Sequence, residues 1–158
     1  MTQSIVVGYD GSACSRDALA AAVDLATEAK DAEVVVVYCH EIPAGLSCEL
    51  DPGCPAAKEL RDFERHVAED VEPLLREALE QARQAGVRAD TVLAWDDLVA
   101  ALPRVAQERG ARMIVVGSHG EGAVGAMIHR SPCYRLVHGS RVPVLIVPHR
   151  KEARLASA

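Results

Sequence analysis

Four valines in a row, Val34–Val37 within the stretch Glu33–His40, leave this chain few architectures. Branching at Cβ suits valine to an extended backbone. Successive side chains of a strand point to opposite faces, so a strand with one wet face alternates apolar with polar residues. A valine run has no polar face to offer water. It fits a strand covered on both sides, and the usual cover is a layer of helices on each face of a parallel sheet. The length of 158 residues suits one such unit, because either half alone would bury too small a core.

The remaining segments supply the layers. Ile5–Tyr9 is a short strand ending at Asp10-Gly11-Ser12, and a helix follows from about Ala13 to Lys30. Ala18, Leu19, Ala22, Val23, Leu25, Ala26 and Ala29 recur in it at three- and four-residue spacing, which makes one buried stripe. Ser12 or Ser15 caps its start. Residues 41–57, with three prolines and two glycines, read as a loop. A charged helix over about Lys58–Ala85 precedes Gly86, with Pro73 placed to kink or divide it. Val87–Ala94 is a third strand, and Leu98–Arg109 a third helix stopped by Gly110. Trp95-Asp96-Asp97 reads as the turn between them, with an acidic helix start. A fourth strand, Met113–Val116, runs into the glycine-rich segment 117–125; a last helix starts at Ser131-Pro132 and ends at Gly139, and Val142–Val147 is the fifth strand. The expected fold is α/β, a three-layer sandwich over residues 1–149 with five parallel strands and helices on both faces, followed by a polar tail, residues 150–158.

Composition narrows the function. A net charge of −6 gives no electrostatic reason to approach nucleic acid or an anionic membrane. Five aromatic residues in the whole chain argue against a stacking platform for bases or sugars. The apolar runs are strand-sized, far below the ~18 residues of a membrane span, and the start MTQSIVVGYD has no signal-peptide pattern. A cytoplasmic protein is expected, and the five scattered cysteines then read as free thiols. Cys48-x5-Cys54, with His40 and His66 nearby, lacks the spacing of a zinc ribbon or finger, and no metal site is assigned.

In parallel sheets ligands bind beyond the carboxyl ends of the strands, where strand order reverses. Two segments compete for that place: Asp10-Gly11-Ser12 and Gly117-Ser118-His119-Gly120. Glycines permit close backbone approach, so that successive amides converge on a phosphate. Arg130 and Ser131 lie at the next helix start, whose free amides and hydroxyl suit an anion. Asp10 also has a plain reading as the N-cap of the first helix. No GxxxxGK[ST], GxSxG or HExxH pattern occurs, so no catalytic residues are assigned.

These segments resemble the universal stress protein family from about residue 4 to 149. IVVGYDGS is similar to the family's opening strand and its acidic residue, here Asp10, and MIVVGSHG, RS and VPVLIVP are similar to its closing half. The resemblance implies strand order 3-2-1-4-5, a homodimer through strand five (Val142 to Val147), and a stress-response role without enzymatic turnover, exercised through protein partners. In the ATP-binding branch, G-2x-G-9x-G-S/T holds phosphates through glycine amides and the hydroxyl. It maps onto Gly117, Gly120, Arg130 and Ser131, with Asp10 toward adenine and ribose and the Cys39 backbone at the adenine edge. ATP, with Mg, or another adenine nucleotide is the implied cofactor. Two residues depart from the pattern. Arg130 stands where the motif has glycine, and Pro132 removes an amide next to Ser131. A guanidinium there either obstructs the phosphates or clamps them. The alternatives are a family member of the branch without ATP, working by protein contacts, and a slow ATPase.

Overall fold

The computed structural model describes residues 3–43, 46, 55–118 and 132–149. Five strands and four helices alternate along the chain: β1 (Gln3–Gly8), α1 (Ala13–Glu28), β2 (Ala32–Cys39), α2 (Pro55–Gln84), β3 (Arg88–Ala94), α3 (Leu98–Glu108), β4 (Ala111–Gly117), α4 (Pro132–Gly139) and β5 (Val144–Val147). The strands form one parallel sheet in the order β3-β2-β1-β4-β5. The expected fold class and strand order are those of the structure.

The valine run divides between the two faces. Val34 and Val36 pack with Ile5, Val7 and Tyr9 of the first strand region against α1 (Ala18, Leu19, Ala22) and α2 (Ala78, Ala82). Val35 and Val37 turn the other way, joining Val6, Ile114 and Val116 under α3 (Ala101, Leu102, Val105) and α4 (Leu136). All four valines are completely buried. Each face therefore carries two helices, and each core forms by period-two alternation of apolar side chains.

Helix ends follow local chemistry. Ser12, not Ser15, caps α1: its side chain accepts from the Ser15 amide at 3.2 Å. Asp97 caps α3, accepting from the amides of Val99 at 2.8 Å and Ala100 at 3.1 Å. Pro73 does not divide α2, which runs unbroken through it. Buried polar groups are satisfied among the described residues; Ser4, for example, donates to Glu33 at 2.8 Å.

Candidate functional site

Between β1 and β4 the chain connections diverge. β1 leads through α1 to β2 on one side, and β4 leads through α4 to β5 on the other. This is where strand order reverses and where an α/β sheet opens a crevice. The strands end there at one level. Val7 is level with Val115, Gly8 with Val37, and Cys39 with Ala94. Backbone pairing continues one step past these ends, through Tyr9 N–H to Val37 O (2.9 Å), His40 N–H to Ala94 O (2.9 Å) and Ser118 N–H to Val147 O (2.9 Å). Carried two residues onward from Gly8, the β1–β2 register brings Asp10 level with Cys39.

The turn after β1 is built by its own side chains. Asp10 Oδ1 accepts from the Ser12 amide at 2.9 Å, and the Asp10 amide donates to Ser15 Oγ at 3.3 Å. Ser15 Oγ donates in turn to the Ser12 carbonyl at 3.0 Å. Asp10 thus shapes the turn, and the capping role falls to Ser12. Gly11 takes φ +78°, and a Cβ there would meet Leu74 Cδ1 of α2 at 2.5 Å. Glycine satisfies both demands.

Gly117, the last residue of β4, sits against the first turn of α1. A Cβ at Gly117 would lie 2.6 Å from both the carbonyl carbon and the oxygen of Cys14, and 2.8 Å from its Cβ. Backbone cannot yield as a flexible side chain can, so this position admits glycine alone. From the other side, Cys133 Sγ in the first turn of α4 donates to the Gly117 carbonyl at 3.2 Å. Two half-buried thiols thus flank the start of the glycine-rich segment. Sequence patterns gave neither cysteine a role, because a contact between α1, β4 and α4 has no signature in residue spacing.

Cys39 is half-buried at the end of β2 rather than fully covered. Burial pushes its thiol up to about 12, and the neighbouring carboxylates of Asp97 and Asp96 add to the effect against the Arg104 guanidinium. Its side chain is therefore a neutral group, and the backbone is what it has to offer a ligand. Burial likewise raises Tyr9, opposed by Arg16, which forms an ion pair with Glu77 of α2 at 3.5 Å. Of the six site residues expected from the sequence, the fold brings Asp10, Cys39 and Gly117 to one end of the sheet. Gly120, Arg130 and Ser131 lie outside the described residues, as do Cys48 and Cys54. Among the described residues no cluster of three or more His, Cys, Asp or Glu side chains could hold a metal ion.

Sequence comparison places this arrangement among known proteins. The model of the universal stress protein family matches residues 1–148. The chain belongs to that family. Universal stress protein YxiE of Bacillus subtilis is 31% identical over 149 residues, spanning 93% of this chain and 99% of that protein. Among solved structures, a universal stress protein in complex with cAMP is 25% identical with a TM-score of 0.67, covering 94% of this chain and 98% of its own. Hypothetical protein MJ0577 shares the fold at a TM-score of 0.80 and 16% identity, covering 96% of this chain and 99% of its own. This universal stress protein thus has the family's α/β sheet with the reversal point between β1 and β4. No helix among its described residues is long and apolar enough to cross a membrane.

Proposed function

We propose that this universal stress protein binds an adenine nucleotide in the crevice above β1 and β4 and presents the bound state to protein partners without turning it over. The observation that carries the reading is the fit of Gly117 against Cys14, level with the Asp10 turn, at the point where strand order reverses. The relative solved with cAMP supports an adenine ligand for this sheet. In this reading the amides of Gly117 and Gly120 and the Ser131 hydroxyl face the phosphates, joined by Mg when the nucleotide is ATP. Asp10 faces ribose, and the Cys39 backbone meets the adenine edge. The site lies in one domain, residues 1–149, of a cytoplasmic protein, with the tail 150–158 outside it.

Homodimerisation through β5 completes the proposal. Among the described residues β5 pairs with β4 alone, and Leu145 and Ile146 are 39% and 38% exposed. A free apolar edge invites another strand, and a two-fold copy of β5 covers both subunits at once. The branch without ATP, acting through protein contacts alone, is favoured by one specific feature: α4 starts at Pro132, which has no amide to give a phosphate.

Heating the purified protein with ATP, ADP, AMP and cyclic AMP separates these readings. A ligand of the folded state raises the melting temperature as its concentration exceeds Kd. A rise with any of the four, together with adenine nucleotide found by mass spectrometry in the purified protein, supports the binding reading. Unmoved melting with all four leaves the protein-contact reading.

A further inference from the structure

Three of the chain's five aromatic residues gather at the carboxyl ends of β2 and β3, around one histidine. The His40 ring lies 5.5 Å from Phe63 of α2, 6.1 Å from Trp95 in an edge-on arrangement, and 6.3 Å from Tyr38, nearly parallel to it. Phe63 and Trp95 are 6.4 Å apart. None of the four belongs to either packed core, and each is half-buried, so ring surface stays open to solvent. The two cores are built mainly of valine, leucine, isoleucine and alanine, with Tyr9 the one aromatic residue among them. The other aromatic side chains lie outside the cores, and three of them gather at the carboxyl end of the sheet.

Register ties the cluster to the crevice. His40 directly follows Cys39, which is level with Asp10 on one side and with Ala94, the residue before Trp95, on the other. We propose that the ring cluster of Tyr38, His40, Phe63 and Trp95 is the stacking wall for the nucleobase, with His40 at its centre. Its ligand class is a purine carrying ribose and phosphate: the base lies against the rings at the ends of β2 and β3, and the phosphates reach across β1 to Gly117. Stacking on aromatic rings accepts any base by its π-face, so the wall contributes to affinity independently of the contacts at the phosphate end. The low aromatic content excludes a wide platform but not one wall assembled from three separate elements.

The inference rests on the adenine-nucleotide reading, and its test keeps the two apart. Trp95 is the only tryptophan, so its emission reports on the wall in the unmodified protein. Calorimetry measures ATP affinity of the wild type, His40→Leu and Phe63→Leu, and a parallel titration follows Trp95 emission. The expected result is a change of Trp95 emission that saturates with ATP binding, and about tenfold weaker ATP binding in both variants. His40 is half-exposed, and the wild-type titration needs no variant at all, so a folding defect cannot mask the answer. ATP that binds without moving Trp95 emission, or with undiminished affinity in both variants, overturns the stacking wall alone. A wild type that takes up no adenine nucleotide overturns the wall and the nucleotide reading together.

Discussion

The two halves of the sheet, β2 with β3 and β4 with β5, finish in different ways. At the β3 edge the strand is polar, and ion pairs join Arg88 to Asp31 at 3.0 Å and Asp90 to Arg109 at 2.7 Å. Charge on an edge strand discourages another strand from pairing with it. At the β5 edge four apolar residues, Val-Leu-Ile-Val, stand between Pro143 and Pro148, with Leu145 and Ile146 open to solvent. The carboxyl ends differ as well. At the ends of β2 and β3 half-buried rings gather, while at the end of β4 a glycine is held against backbone. One half ends in a charged edge and a ring cluster, the other in an apolar edge and a glycine packed on backbone, and the proposed base and dimer contacts divide between them accordingly.

The largest effect should come from closing the tight end. Gly117→Ala puts a Cβ 2.6 Å from the Cys14 carbonyl group, where α1 must shift. A loss of about 3 kcal/mol in folding stability is expected, read by urea unfolding, and ATP binding should disappear with it. Gly139→Ala is the control. A Cβ there meets nothing within 4 Å, and its cost should stay within about 0.5 kcal/mol. Equal costs at the two positions would remove the basis for treating β4 as the constrained end.

Breaking the contrast between the edges comes next. Lysine at Leu145 and Ile146 gives β5 the charged character that β3 already has. The double variant should dissociate at least a hundredfold more readily than the wild type, about 2.7 kcal/mol by affinity arithmetic, measured by sedimentation at several concentrations. Its melting with ATP present should still rise, because both residues lie on the edge and not in the crevice. A wild type that sediments as a monomer at tens of micromolar refutes the dimer, and the apolar edge then calls for a different partner.

How much of this was legible in the sequence follows from what residue spacing records. Val34–Val37 required two covered faces, and the fold divides them between two helix layers. Element boundaries fell within a few residues, and Gly11 and Ser12 announced the first turn. Contacts between distant segments left no trace. Nothing in the spacing pairs Gly117 with Cys14, or turns the Cys133 thiol toward the Gly117 carbonyl. Pro73 read as a kink or a division, and α2 is not divided there because a helix of 30 residues packed along the sheet tolerates one missing amide. A count of five aromatics, read as if they were scattered, hid the fact that three of them meet.

A smaller effect is expected at the departure from the phosphate motif. If Arg130 obstructs the phosphates, Arg130→Gly should tighten ATP binding about tenfold, or ~1.4 kcal/mol. If it clamps them, the same change should weaken binding and flatten its salt dependence, since a lost guanidinium is a lost charge. Gly120→Val serves as the control in calorimetry, because a β-branched residue at a close-approach glycine should abolish binding in either case. A tightening would make the β4 end an open phosphate site kept partly shut by one side chain. A weakening would make it a site that has exchanged backbone amides for a charge.

The smallest effect belongs to the other half, at Cys39. Burial, with Asp97 and Asp96 beside it, holds this thiol protonated up to about 12. An unfolded chain releases the same proton near 8.5. The folded-state value is the raised one, so the associated stability is fully present below the unfolded value. It is lost as pH rises from there toward the folded value, because the unfolded chain then gives up a proton that the native chain keeps. Between pH 8 and pH 10 the loss should be under about 1 kcal/mol, since partial exposure of Cys39 lets water screen the charge. Tyr9, also raised by burial, adds a decline of its own as its ordinary range is approached. Urea unfolding of the wild type and Cys39→Ala at both pH values separates the two contributions: the variant should keep the Tyr9 decline and lose the Cys39 part. Alkylation gives a second reading at pH 8, where Cys39 should react more slowly in the folded protein than in the urea-unfolded chain, because the thiolate is the reactive form. Identical pH slopes together with equal alkylation rates would mean that water reaches the end of β2 and that Cys39 is no more sheltered in the folded chain than in the unfolded one.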